Sequence, residues 1–532
     1  MKKCISILLA LLLALSLTAC ATKAPSSGVD SSGTAASSEL ETSKPENEDD
    51  FSDPRKLTLS YAVMDDLTCP CESMVREVNR YLYDCGTEYR VEFLPLPKVK
   101  YREELKKAMA AGKPVDLFYT GDSYMETVSW TAPLITYDDY LIDGVEAYDL
   151  TDYLESAEGT ALKEALHPLA WEELKRDGGI YGVYEDAFVS TPMVYYVNKQ
   201  LMTKYSITEE DLKVPFEQLG PILEKVKAGE GGDFFPMQVE DAQTILYNSN
   251  FYFPFLSSAF SASPEDMKAM YLFDLPEVKT IIQAMSGYAQ NGLLEDCTFH
   301  ALELDHCFLI PGSIESSVSQ ESGWYYFSDG SSAREGKDYI VITPDERVVA
   351  NGKRDDAVCI YAGSEHIEQS LDLLSRIYTD SALSDLLIHG VEGEQYILDA
   401  DGKILPIYGN GQTDTPENYQ WNRRHYYGNR YLATRMADDR EDYRERTWAL
   451  YDNAQIGPFL GIRVHLEEPD PRAEEMSSFM AEFAHQLTLP ENGGKYQELI
   501  EDTRRQLDEL GGQELLQETQ RQIDEQTGGN GQ

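Results

Sequence analysis

Between residues 57 and 119 the spacing of apolar residues changes repeatedly, and few folds accommodate the result. Leu57, Leu59 and Tyr61 alternate with Thr58, Ser60 and Ala62, the period of a strand; Met74, Val75, Val78, Tyr81, Leu82 and Cys85 then recur at helical spacing. Val91 and Phe93 mark a second strand. Tyr101, Leu105 and Met109 mark a second helix that stops at Gly112, and Val115–Tyr119 forms a third strand. A β-α-β-α-β order predicts a parallel sheet with helices on both faces, and such sheets bind ligands past the carboxyl ends of their strands. The loops Met64–Thr68 and Gly121–Trp130 follow those ends.

A second run of the same kind begins with a strand at Met193–Val197. Phe216–Val226 reads as a helix ending near Gly229, and Leu275–Tyr288 and Ile367–Tyr378 as further amphipathic helices, so two α/β lobes are expected. Leu398–Ile404 has the acidic look of a calcium loop. The twelfth position from Asp399 is Asn410 rather than Glu and Gly402 comes too early, which favours a hairpin turn at Asp401-Gly402. From Tyr496 onward a Gln-, Glu- and Leu-rich stretch broken at Gly511-Gly512 predicts two helices and a frayed tail.

The chain opens with Lys2, Lys3 and an apolar run from Ile5 to Leu17, the pattern of a secretory signal peptide. The ending Leu17-Thr18-Ala19-Cys20 resembles the lipobox of bacterial lipoproteins, which implies diacylglyceryl modification of Cys20 and a lipid-anchored, extracytoplasmic protein. Residues 21–50 contain no aromatic side chain and are rich in Ser, Thr, Ala, Gly and acids, so they are expected to form a disordered tether. No later stretch is apolar for the 18 or so residues a membrane span requires, so the membrane is reached through the lipid anchor only. The 93 acidic and 45 basic residues give a formal charge of −48, which argues against nucleic acid as a partner. A chain that is 42% hydrophobic, with 34 Tyr, is nonetheless too apolar to be disordered throughout.

Chemistry-bearing motifs are sparse. G-x-x-x-x-G-K-[ST], H-E-x-x-H and G-x-S-x-G are all absent from the sequence. Cys69-Pro70-Cys71 has no second Cys or His pair at ligand spacing, leaving buried thiols or a structural disulfide among Cys69, Cys71, Cys85, Cys297, Cys307 and Cys359. His300 and His306, six apart, lack metal-ligand spacing. Paired acids such as Asp65-Asp66 would suit a glycosidase, but 93 acids create such pairs by chance. No cofactor and no catalytic or metal-binding residue is therefore assigned, and the chain is read as a non-enzyme.

Several segments, in order, resemble the solute-binding lipoproteins of bacterial ABC importers, the maltose-binding-like (family 1 type) group. Val115–Asp122 is similar to that family's third strand and following loop, Gly179-Ile180-Tyr181-Gly182-Val183 to its crossover, and Tyr195-Tyr196-Val197-Asn198-Lys199 to the strand opening its second lobe. Leu386–Tyr396 with Asp401-Gly402, and Gly457-Pro458-Phe459-Leu460-Gly461, resemble later segments. Glu185-Asp186 departs from the small residues or Pro that many sugar binders carry there.

The resemblance implies an α/β, two-lobe periplasmic-binding-protein-like clamp with crossover hinge strands. Its parts would be a signal peptide (1–19), a lipidated Cys and tether (20–54), lobe 1 (55–185 with 340–395), lobe 2 (190–335 with 396–495) and C-terminal helices and tail (496–532). It also implies a monomer that delivers a small solute to ABC permease subunits. A secreted carbohydrate-active hydrolase, or a sensor or adhesin using the same clamp, are the alternatives.

Sugars present flat C–H faces to aromatic rings and hydroxyls to carboxylates and guanidiniums. Trp130 with Asp122, Trp324 with Tyr325, and Trp421 with Arg423 and Tyr426 offer that combination near expected loop ends. The expected ligand-binding set is Asp66, Asp122 and Trp130 from lobe 1, answered from lobe 2 by Glu315 and Trp421, with Arg423 beside it. Arg423-Arg424 also keeps an anionic ligand in play.

Overall fold

The structure, a computed structural model, describes residues 53–528 outside 66–69, 98–99, 121–140, 142–144, 177, 185–192, 240–241, 248–255, 257, 298–305, 314–323, 327–331, 335–336, 345–347, 351–356, 408–427, 438, 440, 463 and 465–470. β1 (Leu57–Asp65) is buried continuously from Leu59 to Met64, because helices cover both faces of its sheet. α1 (Glu72–Asp84) turns Met74, Val78 and Leu82 inward. β2 (Tyr89–Pro97) runs parallel to β1, with Leu57 opposite Tyr89 and Asp65 opposite Pro97. α2 (Tyr101–Ala110) buries Tyr101, Leu105 and Ala108, after which Gly112 takes φ +70°, a conformation that costs glycine little. β3 (Leu117–Tyr119) pairs with the other flank of β1.

A short helix, α3 (Pro168–Leu174), precedes the passage to the second sheet, which begins at β4 (Met193–Asn198). The helix expected over Phe216–Val226 is divided into a 3-10 turn, Phe216–Gln218, and α4 (Gly220–Glu230). Pro221 explains the division: lacking an N–H, it is tolerated in the first turn of a helix but not within one. Then follow β5 (Met237–Val239), α5 (Pro276–Gln290), β6 (Leu294–Asp296), β7 (Leu309–Ser313) and β8 (Tyr339–Ile342). This sheet has the order β6-β5-β7-β4-β8; β4 is antiparallel to both its neighbours, so the sheet is mixed rather than all-parallel.

After β9 (Val349–Ala350) the chain re-enters the first sheet as β10 (Val358–Ile360), antiparallel to β3, completing the order β10-β3-β1-β2. The return therefore falls between Ile342 and Val358. α6 (Ile367–Thr379) and α7 (Ser381–His389) cover this sheet through Leu373, Leu374, Ile377 and Leu383. Asp380 caps α7 by accepting from the N–H groups of Ala382 and Leu383, and it also receives the Tyr81 hydroxyl of α1 at 2.7 Å.

β11 (Tyr396–Leu398) and β12 (Ile404–Pro406) form the hairpin expected at Asp401-Gly402. Gly402 has φ +78°, and one Asp399 carboxylate oxygen accepts from the N–H groups of both Asp401 and Lys403 at 2.9 Å, so this acid is spent on a turn. Among the described residues no cluster of three or more His, Cys, Asp or Glu side chains could hold a metal ion.

The last elements divide between the two cores. Gly428–Thr434 lies against α6 and α7: Asn429 donates to the Tyr378 carbonyl at 3.0 Å, and Asp385 receives both the N–H and the hydroxyl of Thr434 at 2.6 Å. α8 (Tyr443–Asp452) and β13 (Gln455–Ile456) follow. From Phe459 onward the chain belongs to the second core. α9 (Pro471–Thr488), α10 (Tyr496–Glu509) and α11 (Gly512–Thr527) contribute Met476, Phe483, Leu507 and Ile523 to it. The break between α10 and α11 is at Gly511, φ +87°, as the sequence leads one to expect. Arg504 locks α10 to the second lobe, donating to both Asp274 oxygens at 2.7 and 2.8 Å across the faces of Tyr271 and Phe273. No helix among the described residues is long and apolar enough to cross a membrane.

Candidate functional site

The loops singled out at strand ends spring from neighbouring places. β1 and β3 are adjacent, with Tyr61 opposite Leu117 and Ala62 opposite Phe118, so the chain toward Asp66 and the chain toward Asp122 leave the same edge of the first sheet. Thr120, fully buried, holds the second of these roots: its N–H donates to the Ala357 carbonyl at 2.9 Å and its hydroxyl accepts from the Ala357 N–H at 2.7 Å. Ala357 belongs to the return passage between the lobes. The root of the first-lobe loop is thereby fixed to a crossing segment.

The second sheet has a matching arrangement. β7 ends at Ser313, two residues before Glu315, and Ser313 stands opposite Met193, the first residue of β4 after the outward passage. The expected contributors of both sheets are thus rooted beside crossings, as a site between two lobes requires. The outward and return passages are paired to each other by Val183 and Val358, which exchange backbone hydrogen bonds of 2.9 and 3.0 Å.

Asp66, Asp122, Trp130, Glu315, Trp421 and Arg423 themselves lie outside the described residues, as does Cys20. Trp324 and Tyr325 fall in the strand Trp324–Tyr326, which pairs antiparallel with Ser332–Arg334. Trp421 and Arg423 were grouped with the second lobe, but the first described residues after them, Gly428 and Asn429, pack on α6 and α7 of the first.

A small separate core at the crossings was not foreseen. Leu169 and Ala170 of α3, Val348 and Ala350 of the return passage, and Tyr451 of α8 are buried together. β9 pairs with β13 there, the Gln455 N–H donating to Val348 at 2.8 Å and the Gly457 N–H to Ala350 at 2.7 Å. His167 sits edge-on to Trp448 and Tyr451, both 5.4 Å away. Its Nδ1 accepts from the Leu169 N–H at 3.2 Å, capping α3, which leaves the Nε2–H to face Asp452 at 3.2 Å. Three segments about a hundred or more residues apart build this core, and neither spacing nor period links them.

Titration in this region has one defined direction. Burial holds the Asp385 carboxyl above the ordinary carboxylate range, against the two bonds from Thr434, which favour ionisation. A carboxyl whose folded pKa is raised contributes stability fully below its unfolded pKa and loses it as pH rises through the folded value. Relative to Asp385→Asn, the wild type is therefore expected to be most stable near pH 4 and to fall behind progressively toward neutrality. Urea unfolding of both proteins across that interval checks this; a pH-independent difference would contradict it. By contrast, burial pushes the Tyr451 hydroxyl well above the usual phenol range, so it stays protonated in the crossing core.

Solved structures share this architecture. The N-glycan transport solute binding protein from Streptococcus pneumoniae matches with a TM-score of 0.60 at 18% identity, over 88% of this chain and 99% of that one. The same protein in complex with Man1GlcNAc matches with a TM-score of 0.54 at 17% identity and the same coverage. An HMO-binding, ABC-transporter-associated solute-binding protein from Bifidobacterium longum infantis gives 0.50 at 13% identity, over 88% and 99% of the two chains. No family model matches the sequence, and no curated protein matches it significantly. The fold is that of these solute-binding proteins: an α/β, two-lobe clamp joined by crossover strands.

Proposed function

We propose that the protein captures an extracellular carbohydrate or oligosaccharide and delivers it to an ABC permease, with no chemical reaction of its own. The carrying observation is that the shared fold spans 88% of the chain and 99% of solved structures described as glycan-transport and ABC-transporter-associated binding proteins. The N-terminal sequence supports the same setting. A cleaved signal peptide and a lipidated Cys20 would tether a monomeric binding protein to the outer face of the cell membrane, within reach of its permease subunits.

Asp66, Asp122 and Trp130 on one side, and Glu315, Trp421 and Arg423 on the other, are the ligand contacts of this proposal, with rings stacking on sugar faces and polar groups holding hydroxyls. Trp421→Ala should weaken a bound sugar by about 2 kcal/mol or more, the usual cost of removing a central aromatic anchor. Asp122→Ala should cost about 1 to 3 kcal/mol, by leaving a hydroxyl unpaired. Calorimetry on variants shown to be folded by circular dichroism measures both; wild-type affinity in both would move the site elsewhere.

The solute class is tested by thermal shift against mono- and oligosaccharides, peptides and amino acids. A ligand at 100 times its Kd adds about 2.7 kcal/mol to stability, an ample signal. Stabilisation by glycans that are recovered intact supports the proposal. Stabilisation by peptides or amino acids alone, or cleavage of the glycan, would contradict it.

A further inference from the structure

The start of β10 is a junction of three segments: the loop root after β3, the return passage and the outward passage. In an antiparallel ladder, closely bonded pairs recur at every second residue and exchange two N–H···O=C bonds. β10 and β3 hold this register, with Cys359 opposite Phe118 and Val358 opposite Tyr119, and the Tyr361 N–H donates to the Asp116 carbonyl at 2.9 Å. Two residues beyond Phe118, the next such pair is Thr120 with Ala357. One of its bonds runs from backbone to backbone, the Thr120 N–H to the Ala357 carbonyl. In the other, the Ala357 N–H goes to the Thr120 hydroxyl instead of the Thr120 carbonyl. The side chain takes the place of its own backbone acceptor, and the ladder lets go of the strand here, two residues before Asp122.

The position leaves little slack. Thr120 and Ala357 are fully buried, so water cannot stand in for the hydroxyl without opening the packing. One residue further on, Val358 exchanges bonds with Val183 of the outward passage, and the Val183 carbonyl also receives the Tyr378 hydroxyl of α6 at 3.2 Å. Both passages are therefore pinned to the first lobe beside the Thr120 contact. A hinge rotation of the second lobe bends the chain beyond those pins, and Thr120 ties the return passage to the loop root.

We propose that Thr120 is a positioning residue of the clamp: its hydroxyl sets the course of the chain toward Asp122 and Trp130 and couples it to the return passage, and so to lobe closure. The proposal rests on the reading of the cleft as a solute site with those two side chains among its contacts. Without the hydroxyl, the acceptor that the ladder itself offers to the buried Ala357 N–H is the carbonyl of residue 120. Satisfying the N–H that way extends the ladder by one residue and redirects the loop.

The test is fluorine NMR of the full chain labelled with fluorotryptophan, joined to titration calorimetry. The labelled rings include Trp130, in the loop after Thr120, and Trp171, buried in the first-lobe core. Thr120→Val keeps the shape of threonine and removes the acceptor. It should move the Trp130 resonance while that of Trp171 stays in place. It should also weaken, by about tenfold, binding of whichever of maltotriose, cellotriose, chitotriose and lacto-N-tetraose the wild type takes, a loss in keeping with one hydrogen bond. Thr120→Ser retains the hydroxyl and should restore both. Should a displaced Trp171 resonance show Thr120→Val to be misfolded, Thr120→Cys, with its weakly accepting thiol, is expected to give the same changes at smaller size. The proposal is overturned by an unmoved Trp130 resonance or wild-type affinity in the folded variant that lacks the hydroxyl, or by a Thr120→Ser that behaves as Thr120→Val. If the wild type binds none of the four sugars, the solute reading loses its support, while the Trp130 resonance still decides the role of Thr120.

Discussion

Cys20→Ala should abolish metabolic labelling of the protein by fatty acid and leave it as an uncleaved precursor or shed into the medium. The expectation rests on the residues before the cysteine. An apolar run of thirteen residues, Ile5 to Leu17, suits a signal peptide and falls short of a comfortable membrane span. A small residue followed by Cys20 supplies the modification site. One acyl chain anchors a protein only marginally and two or more do so stably, so removal of the diacylglyceryl acceptor should convert a membrane-bound protein into a soluble or precursor form. Undiminished labelling of the variant would place the modification on another residue or remove it from the account.

Asn79→Ala should destabilise the first lobe by about 2 to 4 kcal/mol, through two backbone groups left without partners. β2 is the outer strand of its sheet, and the N–H and C=O of Val91 point away from β1. Asn79 on α1 satisfies both: its Oδ1 accepts from the Val91 N–H at 2.7 Å and its Nδ2 donates to the Val91 carbonyl at 2.9 Å, and also to the Val75 carbonyl at 3.0 Å. Val91 is 2% exposed, so water cannot replace the lost amide without opening the helix–strand packing. Asn79→Asp keeps an acceptor for the N–H but faces the Val91 carbonyl with a second acceptor, and should also be destabilising. Urea denaturation of the three proteins checks the order, and equal midpoints would show that α1 moves to admit solvent.

The opening strands and helices were legible in the sequence because their apolar periods are long and uninterrupted. Leu57–Tyr61 shows the period of two and Met74–Cys85 that of a helix, and both elements form. The continuous burial from Leu59 to Met64 goes beyond the alternation, since Ser60 and Ala62 are small enough to pack under helices on the second face. Chain punctuation was equally legible at Gly402 and Gly511, where a positive φ is required. The antiparallel strands β8 and β10 are four and three residues long, too short for a period to show, and their pairing is set by partners more than a hundred residues away. The core around His167, Val348 and Tyr451 was hidden for the same reason. For the site, the rule that ligands lie past strand ends pointed to loops whose roots lie beside the crossings, whereas a ring in a polar loop such as Trp421 carries no pattern that says which lobe it serves.

The central claim, that this is a clamp which closes on a sugar, is tested most directly by small-angle X-ray scattering of the protein with and without a saturating oligosaccharide, saturation being established by calorimetry. Two lobes linked by paired passages at Val183–Val358 and β9–β13 should shift from open to closed when a ligand bridges them. The account predicts a smaller radius of gyration in the bound state, reversed when the sugar is removed. An unchanged radius at proven saturation would contradict it.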